Sequence, residues 1–533
     1  MLRITGKNFI GFKRGSEGKV SLKSFNPSNN CEINHVYNLA SQNELDDALL
    51  LADRASKIYM KKTGIEKAEF LDAIAKAIMR IGDDLIKICT EETGLAEERI
   101  IGERDRTCKQ LHLFSEILRA GTWIDARIDP RIEKRSVDIR RMLVPIGPIA
   151  VFGASNFPLA FSVAGGDTAS AFAAGCTVIF KAHPYHPGTS ELVANAIIQA
   201  AKETGMPSGI FSMLHLSNEE AIRLVKNHTV KAVAFTGSRE VGLILMDAVK
   251  KRKEPIPVFA EMSSSNPVIL MPNALLLRAE EIARELVSSI TAGVGQFCTN
   301  PGLILLIEGK GTDIFLNKVS LQIANSYPGT MLSKGILKAY LEKVKILKKI
   351  AGVSIFGQSL VEADIHKNEA SPAVFKINGK DLLDNTKLFD EIFGPVSLFI
   401  VVENEDELLK VLHLLPGQLT ATVHALNDDK SSLLPILELA TSKVGRIIWG
   451  GFPTGVQVSH AMHHGGPFPS TSNEAYTSVG SAAIQRFVRP IAFQNFPDEF
   501  LPLELKNFNP LNIIRLVNGK FSNEIIKPQT LSD

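Results

Sequence analysis

Hydrophobic and polar positions follow a helical spacing in the N-terminal part of the chain and a mixed spacing after it. Beyond an extended start, apolar residues up to about residue 125 recur three and four positions apart, which predicts mainly helices. The first helix follows Ser41, where Glu44 three positions later completes a capping box. Further helices are predicted by the periodic runs near 65–81, 83–93 and 96–120.

After a proline-broken extended segment over 131–151, short apolar strands alternate with helical runs. The strands are predicted at 149–152, 177–181, 209–213 and 231–235, and the helices that follow them at 158–174, 188–204, 218–227 and 239–252. Four strand–helix units predict an α/β fold whose parallel, doubly wound sheet binds its ligand at the strand C-termini. A second α/β series runs from about 258 to 480, residues 481–500 are again extended, and 501–533 form a polar tail.

Composition narrows the class of protein. The 533 residues are 45% hydrophobic and 22% charged, which is ordinary for a globular chain of two or three domains. A net charge of +2 gives no general attraction to nucleic acid or to an anionic membrane, so we expect neither partner. The five cysteines contain no C-x-x-C pair, which argues against a disulfide framework and favours a reducing, cytoplasmic location. The N-terminus has no apolar core of signal-peptide length.

The candidate chemistry centres on Cys298, in the small-residue loop G-Q-F-C-T-N-P-G at 295–302. A thiolate is a strong nucleophile, and a nearby carboxylate such as Glu261 can act as the base for a water that releases an acyl group. The two residues lie too far apart for one helix face, so the fold must bring them together. Taken alone, such a cysteine is more often a small buried hydrophobe.

Two loops offer groups for an oxyanion and for a sugar. Asn156 follows the first strand of the α/β series, where its amide suits a developing oxyanion; a helix N-cap before Pro158 is the structural alternative. Glu391 precedes an aromatic turn that contains Phe393. Its carboxylate suits a ribose diol, and an exposed acid before a turn is the alternative.

Two strand ends suit a dinucleotide. Lys181 closes the second strand of the series, where parallel sheets bind nucleotides, although a lysine there is more commonly solvated. Gly237 and Ser238 open the helix after the fourth strand, whose backbone N–H groups suit a phosphate; a simple tight turn is the alternative. We expect no metal site, because neither histidine pair has the spacing or the third ligand that one ion needs. The pairs are His183 with His186 and His463 with His464.

In chain order, these segments resemble the NAD(P)-dependent aldehyde dehydrogenase superfamily over nearly the whole sequence. The blocks at 152–188 and 450–469 resemble one branch, the 2-oxoglutarate-semialdehyde (2,5-dioxopentanoate) dehydrogenases, which also includes an NADP-dependent long-chain aldehyde dehydrogenase of luminous bacteria. The resemblance implies a Rossmann-type cofactor domain over 1–130 and 148–256 and an α/β catalytic domain over 257–480. It also implies a β oligomerisation arm over 131–147 and 481–500, whose open strand edges fit a homodimer or homotetramer.

The resemblance assigns roles to the candidate residues. Cys298 would attack the aldehyde to form a thiohemiacetal, whose oxyanion Asn156 and the Cys298 backbone N–H would hold. Glu261 would activate the water that hydrolyses the resulting thioester; its family motif E-L-G-G-K here reads E-M-S-S-S, so the base is kept and its loop is altered. The implied cofactor residues are Lys181 and His183 for the adenosine ribose, Gly237 and Ser238 for the diphosphate, Glu391 for the nicotinamide ribose and Phe393 beside the ring.

Cofactor and substrate preferences follow from the same resemblance. NADP is expected over NAD, because Pro184 stands where NAD-preferring relatives commonly carry an acid. The branch implies oxidation of 2,5-dioxopentanoate to 2-oxoglutarate. Phe157 would lie beside this substrate, and Arg106 would pair with its carboxylate; a salt bridge to Asp105 or Glu103 is the alternative for Arg106. Three other functions stay open: fatty aldehyde oxidation, acyl transfer to CoA, and a catalytically silent structural role.

Overall fold

The computed structural model describes residues 4–131 and 137–526. The rest of the predicted arm and tail, at 132–136 and 527–533, lies outside the described residues. The chain begins with the strands β1 (Asn8–Ile10), β2 (Lys13–Gly15), β3 (Ser21–Asn26) and β4 (Cys31–Asn38) and the helices α1 (Gln42–Tyr59), α2 (Gly64–Ile81), α3 (Asp83–Thr93) and α4 (Glu97–Ala120). The predicted capping box of Ser41 and Glu44 starts α1, and Thr63 with Glu66 starts α2 in the same way.

A parallel sheet follows the short strands β5 (Arg127–Asp129) and β6 (Ile139–Pro145). Its strands are β7 (Ile149–Phe152), β8 (Val178–Lys181), β9 (Phe211–Leu214), β10 (Ala232–Thr236) and β11 (Val258–Glu261), and the helices between them are α5 (Gly166–Ala174), α6 (Pro187–Glu203), α7 (Asn218–Lys226) and α8 (Arg239–Lys250). The strand order is β11-β10-β7-β8-β9-β1-β2, so the predicted doubly wound topology is confirmed. The winding reverses between β7 and β10, so the carboxyl ends of these two strands are where a doubly wound sheet is expected to bind its ligand.

Two sequence predictions in this region are wrong. The helix predicted from 158 begins only at Gly166. The backbone N–H groups of Leu159 and Ala160 donate to the Glu103 carboxylate, at 2.8 and 2.9 Å, and the extended backbone of Gly165 (φ −73°, ψ −170°) separates this turn from α5. The boundary predicted at 256 assigned β11 to the second unit, but β11 pairs with β10 in the first sheet.

The second sheet has the order β15-β17-β18-β13-β12-β19-β20 and is parallel except for β15. Its region contains the strands β12 (Val268–Leu270), β13 (Leu303–Ile307), β14 (Gly329–Thr330), β15 (Ser354–Gln358), β16 (Glu369–Ala370), β17 (Ala373–Asn378), β18 (Val396–Val402), β19 (Gln418–His424) and β20 (Val444–Trp449). The helices are α9 (Pro272–Thr291), α10 (Lys310–Ala324), α11 (Lys334–Leu347), α12 (Gly379–Leu383), α13 (Glu405–Leu414) and α14 (Lys430–Lys443). Strands β7 and β13 are buried at every position, as expected where helices cover both faces of a parallel sheet.

A third sheet, ordered β21-β6-β5-β22-β23, uses the strands β21 (Val488–Gln494), β22 (Arg515–Val517) and β23 (Lys520–Ser522). The extended segment predicted at 481–500 holds only β21, because 481–487 form a 3-10 helix. The polar tail predicted from 501 is also wrong for its described part: Leu505 and Ile513 are buried, and β22 lies parallel to β5. The buried Arg140 on β6 donates to Leu505 O at 2.7 Å, which ties this C-terminal segment to the sheet.

Among the described residues, no helix is long and apolar enough to cross a bilayer.

Candidate active site

Three side chains that are distant in sequence meet at the junction of the two large sheets. Glu261 ends β11, Cys298 follows α9 after a short 3-10 turn, and His464 lies in the loop beyond β20. His464 Nε2 lies 3.0 Å from Glu261 Oε1 and 3.6 Å from Cys298 Sγ. The sequence analysis anticipated a pair of Glu261 with Cys298; the structure adds a histidine between them.

The cysteine loop is held by its backbone. Gly295 has a φ of 65°, and a Cβ at this position would lie 2.2 Å from Gly394 O, so only glycine fits. Asn266 donates from Nδ2 to Cys298 O at 2.8 Å and to Asn300 O at 2.9 Å. These bonds fix the peptide on either side of the thiol, and they come from the altered loop that follows Glu261.

The surroundings set opposite protonation preferences for the carboxyl and the thiol. Burial raises the pKa of Glu261, but the opposing effects of His464, the Ser478 hydroxyl at 2.7 Å and Cys298 outweigh it, so the pKa lies below its usual value. Burial, followed by the negative charge of Glu261, raises the pKa of the Cys298 thiol well above its usual value. The resting site therefore holds a carboxylate beside a protonated thiol.

Asn156 approaches the same loop from the first sheet. Its Nδ2 donates to Gln296 O at 2.9 Å, two residues before Cys298. Arg99 lies near its carbonyl, with Nη2 3.5 Å from Asn156 O. The predicted oxyanion donor and the predicted nucleophile are thus brought to one loop.

A cavity of about 550 Å³ opens above Cys298. Its walls include three aromatic rings, and Phe157 packs edge-on against both others, with ring centroids 5.2 Å from Phe161 and 5.5 Å from Phe297. Arg106 lies over the Phe161 ring at 4.9 Å. The cavity surface is therefore mostly apolar, and the charged residues in its wall are Arg99 and Arg106 together with Glu98 and Glu103.

Arg106 has no acidic partner among the described residues. The alternative salt bridges are absent, because Asp105 lies 3.6 Å from Arg104 and Glu103 lies 3.2 Å from Arg99. Arg106 Nε donates to Val456 O at 3.0 Å, and Nη2 is buried with no hydrogen-bond partner in the described chain. Burial lowers the pKa of this guanidinium, which indicates how little solvent reaches its charge.

The predicted cofactor residues lie at the carboxyl ends of β8 and β10, on either side of β7. Lys181 is half-buried and has no carboxylate partner in the described chain, and the burial lowers its pKa. Burial holds the pKa of His183 well below its usual value, so the ring is neutral. Ser238 caps α8, its hydroxyl accepting from Val241 N at 3.4 Å, and a Cβ on Gly237 would meet the Phe235 ring at 2.6 Å.

A second cavity, of about 410 Å³, lies on the other side of the cysteine loop. Glu391 and Phe393 are in its wall together with Gly295. Burial raises the pKa of Glu391 to about 7, although bonds from Ser263 and from the backbone of Ser264 favour its charged form. An ammonium at one strand end, without a carboxylate partner in the described chain, and a half-buried carboxylate beside the cysteine loop fit the phosphates and sugar of a dinucleotide.

Several residues of the site were missed by reasoning from the sequence. The list is His464, Ser478, Asn266 and Arg99. The one available signal was the pair His463-His464, which we interpreted only as an improbable metal pair. Its contacts lie 166 and 203 residues away along the chain, so no local pattern encodes them.

Residues 13–466 match the aldehyde dehydrogenase family. The chain is 46% identical over 529 residues to alpha-ketoglutaric semialdehyde dehydrogenase 2 of Azospirillum brasilense, covering 97% of this chain and 100% of that protein. It is 44% identical over 524 residues to the alpha-ketoglutaric semialdehyde dehydrogenase of Acinetobacter baylyi, covering 97% and 99%.

Solved structures share the fold at lower identity. Aldehyde dehydrogenase 21 from Physcomitrella patens, in complex with the reaction product succinate, superposes with a TM-score of 0.78 at 19% identity, covering 92% of this chain and 97% of that one. A betaine aldehyde dehydrogenase variant from Staphylococcus aureus, in complex with NAD+, gives 0.79 at 18% identity, covering 93% and 98%.

Proposed function

The chain belongs to the aldehyde dehydrogenase family, and from this premise we propose that it oxidises 2-oxoglutarate semialdehyde (2,5-dioxopentanoate) to 2-oxoglutarate with NADP or NAD. Both highly similar relatives carry this activity in their names, and they match nearly the full length. The observation that carries the proposal is Arg106, a half-buried arginine in the wall of the cavity above Cys298, whose Nη2 is buried with no hydrogen-bond partner in the described chain. Such a cation suits the distal carboxylate of this substrate.

In the proposed reaction, the Cys298 thiol loses its proton as Sγ attacks the aldehyde carbon. Glu261 accepts that proton, because its lowered pKa keeps it ionised at neutral pH. An ionised carboxylate can only accept a hydrogen bond, so in the contact between His464 and Glu261 the Nε2–H of His464 is the donor. The same N–H lies 3.6 Å from Sγ and stabilises the sulfur as its proton leaves.

The oxyanion of the thiohemiacetal is held by the Cys298 backbone N–H and by Asn156, whose amide turns to it from Gln296 O. When bound, NAD(P) supplies the acceptor for the hydride of this adduct. After its proton has passed to solvent, Glu261 deprotonates a water that attacks the thioester carbon. The carboxylate product leaves, and Cys298 regains its proton.

The residues that would hold the cofactor are those at the strand ends and in the second cavity. Lys181 and the neutral His183 would bind the adenosine ribose, Gly237 and Ser238 would bind the diphosphate, and Glu391 with Phe393 would hold the nicotinamide ribose and ring. We propose that NADP is preferred. Pro184 carries no charge to repel a 2′-phosphate, and Lys181 is a cation without a partner in the described chain.

A homodimer or homotetramer is part of the proposal. In the five-stranded third sheet, β6 pairs with β21 on one side and with β5 on the other, which leaves β21 at the edge of the sheet. An unpaired edge of this length is usually covered, and a second copy of the chain would cover it. Size-exclusion chromatography with light scattering measures this state directly.

The aromatic walls of the cavity favour fatty aldehydes as a second candidate substrate class. The deciding experiment is a steady-state comparison of 2,5-dioxopentanoate with uncharged aliphatic aldehydes of five to twelve carbons, using both cofactors. We expect the highest kcat/KM for the semialdehyde acid. A higher kcat/KM for the long-chain aldehydes would assign the enzyme to them, and no reduced cofactor with any aldehyde would indicate a silent homologue.

A further inference from the structure

Glu261, Cys298 and His464 offer three different ligand atoms to one point. One carboxylate oxygen, Sγ and Nε2 all lie within 4.8 Å of one another. In residues 4–131 and 137–526, this is the only group of three histidine, cysteine or acidic side chains with that geometry. We expected no metal from the sequence, where His464 has only His463 beside it; the fold supplies the two other donors.

We propose that these three side chains form a zinc site with one open coordination position. Bound Zn²⁺ would reversibly block the Cys298 nucleophile, a role that rests on the proposed aldehyde oxidation. A thiolate, an imidazole and a carboxylate form a donor set typical of zinc rather than of magnesium or calcium.

Two of the three separations between ligand atoms fit tetrahedral coordination. With Zn–S of about 2.3 Å and Zn–N or Zn–O of about 2.0 Å, tetrahedral angles place sulfur and nitrogen ~3.5 Å apart and nitrogen and oxygen ~3.3 Å apart. The observed separations are 3.6 Å and 3.0 Å. The third separation, between Sγ and a carboxylate oxygen, lies within 4.8 Å, so a rotation of the Glu261 side chain closes the carboxylate onto the ion.

The charge and the burial of the three side chains both favour zinc binding. At rest Glu261 is ionised, because its pKa lies below the usual value, and this negative charge attracts Zn²⁺. Zn²⁺ displaces the Cys298 proton to solvent, so the complex of metal, thiolate and carboxylate is neutral. Glu261 is 4% exposed and the His464 side chain is fully buried, so water competes poorly for the ion.

The second ring nitrogen of His464, Nδ1, limits the affinity of the site for zinc. His464 Nδ1 is buried with no hydrogen-bond partner in the described chain. When Nε2 binds a metal, the ring proton moves to Nδ1, where nothing accepts it. We therefore expect binding weaker than that of four-ligand structural zinc. Of the three ligands, Cys298 lines the cavity of about 550 Å³, so we expect a water from that cavity to take the fourth position, as in sites with three protein ligands and a water.

Cobalt(II) titration of the reduced full-length protein, without aldehyde or cofactor, tests the site. We expect one equivalent to bind with a near-ultraviolet thiolate-to-cobalt band. Cys298→Ser should abolish the band, and His464→Ala should weaken binding at least about tenfold. The matched controls His463→Ala and Cys31→Ser, the latter an exposed cysteine, should bind like the wild type. A band that survives Cys298→Ser, or equal affinity in His464→Ala, overturns the proposal; circular dichroism checks that each variant is folded.

Zinc inhibition tests the functional consequence. Aldehyde oxidation should fall with one equivalent of Zn²⁺ per chain and return after EDTA. The two assays separate the two proposals. A cobalt band in a protein without dehydrogenase activity supports the metal site and rejects the proposed function. Dehydrogenase activity in a protein without a cobalt band supports the proposed function and rejects the metal site. Inhibition that needs many equivalents, or that EDTA does not relieve, rejects a blocking role for this site.

Discussion

Replacing Arg106 with alanine should separate charged from uncharged substrates. The guanidinium lies in the cavity wall, donates through Nε to Val456 O and leaves Nη2 buried without a partner in the described chain. A buried, unpaired charge is costly, so a substrate carboxylate that reaches Nη2 gains a charge-assisted hydrogen bond. An uncharged aldehyde of equal length gains nothing from that group.

The size of the effect follows from one such bond. A hydrogen bond to a charged group contributes about 1.5–3 kcal/mol, which corresponds to a loss of roughly 10- to 150-fold in kcat/KM, mainly through KM. The arginine also packs on Phe161, so Arg106→Met keeps most of the volume while it removes the charge. The matched control is Arg104→Ala, because Arg104 lies on the same helix but is paired with Asp105. This variant should leave kcat/KM unchanged for both substrates.

The assay is steady-state formation of reduced cofactor with 2,5-dioxopentanoate and with pentanal, for the wild type and the three variants. We expect Arg106→Ala and Arg106→Met to lose kcat/KM for the acid and to keep it for pentanal within about threefold. Equal losses for both substrates would mean that Arg106 shapes the cavity and does not bind the anion. An unchanged kcat/KM for the acid would refute the reasoning altogether.

Four further outcomes are expected. Cys298→Ala should abolish aldehyde oxidation and leave dinucleotide binding, measured by calorimetry, intact; turnover in this variant would contradict the nucleophile assignment. Glu261→Gln should slow steady-state turnover by roughly 10²–10⁴-fold while a first-turnover burst survives, and a wild-type rate would remove this base from the mechanism. Ser478→Ala removes a bond that lowers the pKa of Glu261, so the acid limb of the kcat profile should move to higher pH; an unmoved limb argues against Glu261 as the titrating base. Pro184→Glu should shift the ratio of kcat/KM from NADP toward NAD, and a tenfold preference of the wild type for NAD would reject the NADP proposal.

The sequence predicted regular elements well wherever local pattern and local bonds agree. Strand β7 was predicted with its observed bounds, and α3 likewise, because apolar runs and turn residues delimit them. The helix predicted from 158 is wrong because the extended backbone of Gly165 separates the first turn from α5, and Glu103, more than fifty residues away along the chain, binds the N–H groups of that turn. Local periodicity reports neither feature.

The residues of the candidate site also fall into those that local sequence could predict and those that it could not. Cys298 and Glu261 stand in segments with recognisable local sequence, so each could be named before their contact was known. His464 contacts Glu261 and Cys298, which lie on other elements, and its position beside His463 led only to the consideration of a metal site formed by the two histidines. The C-terminal segment was predicted as a polar tail because its buried residues are few and widely spaced among polar ones, a pattern without period.

The parallel pairing of β22 with β5 has a consequence for biosynthesis. Strand β5 leaves the ribosome with its neighbour β6 soon after, but its other partner, Leu516 and Val517, is translated almost four hundred residues later. Throughout that interval β5 is an open edge and the Arg140 guanidinium lacks Leu505 O. The third sheet is therefore completed after both larger sheets have been synthesised, and a chain that terminates early presents an unfinished edge to the cell's quality control.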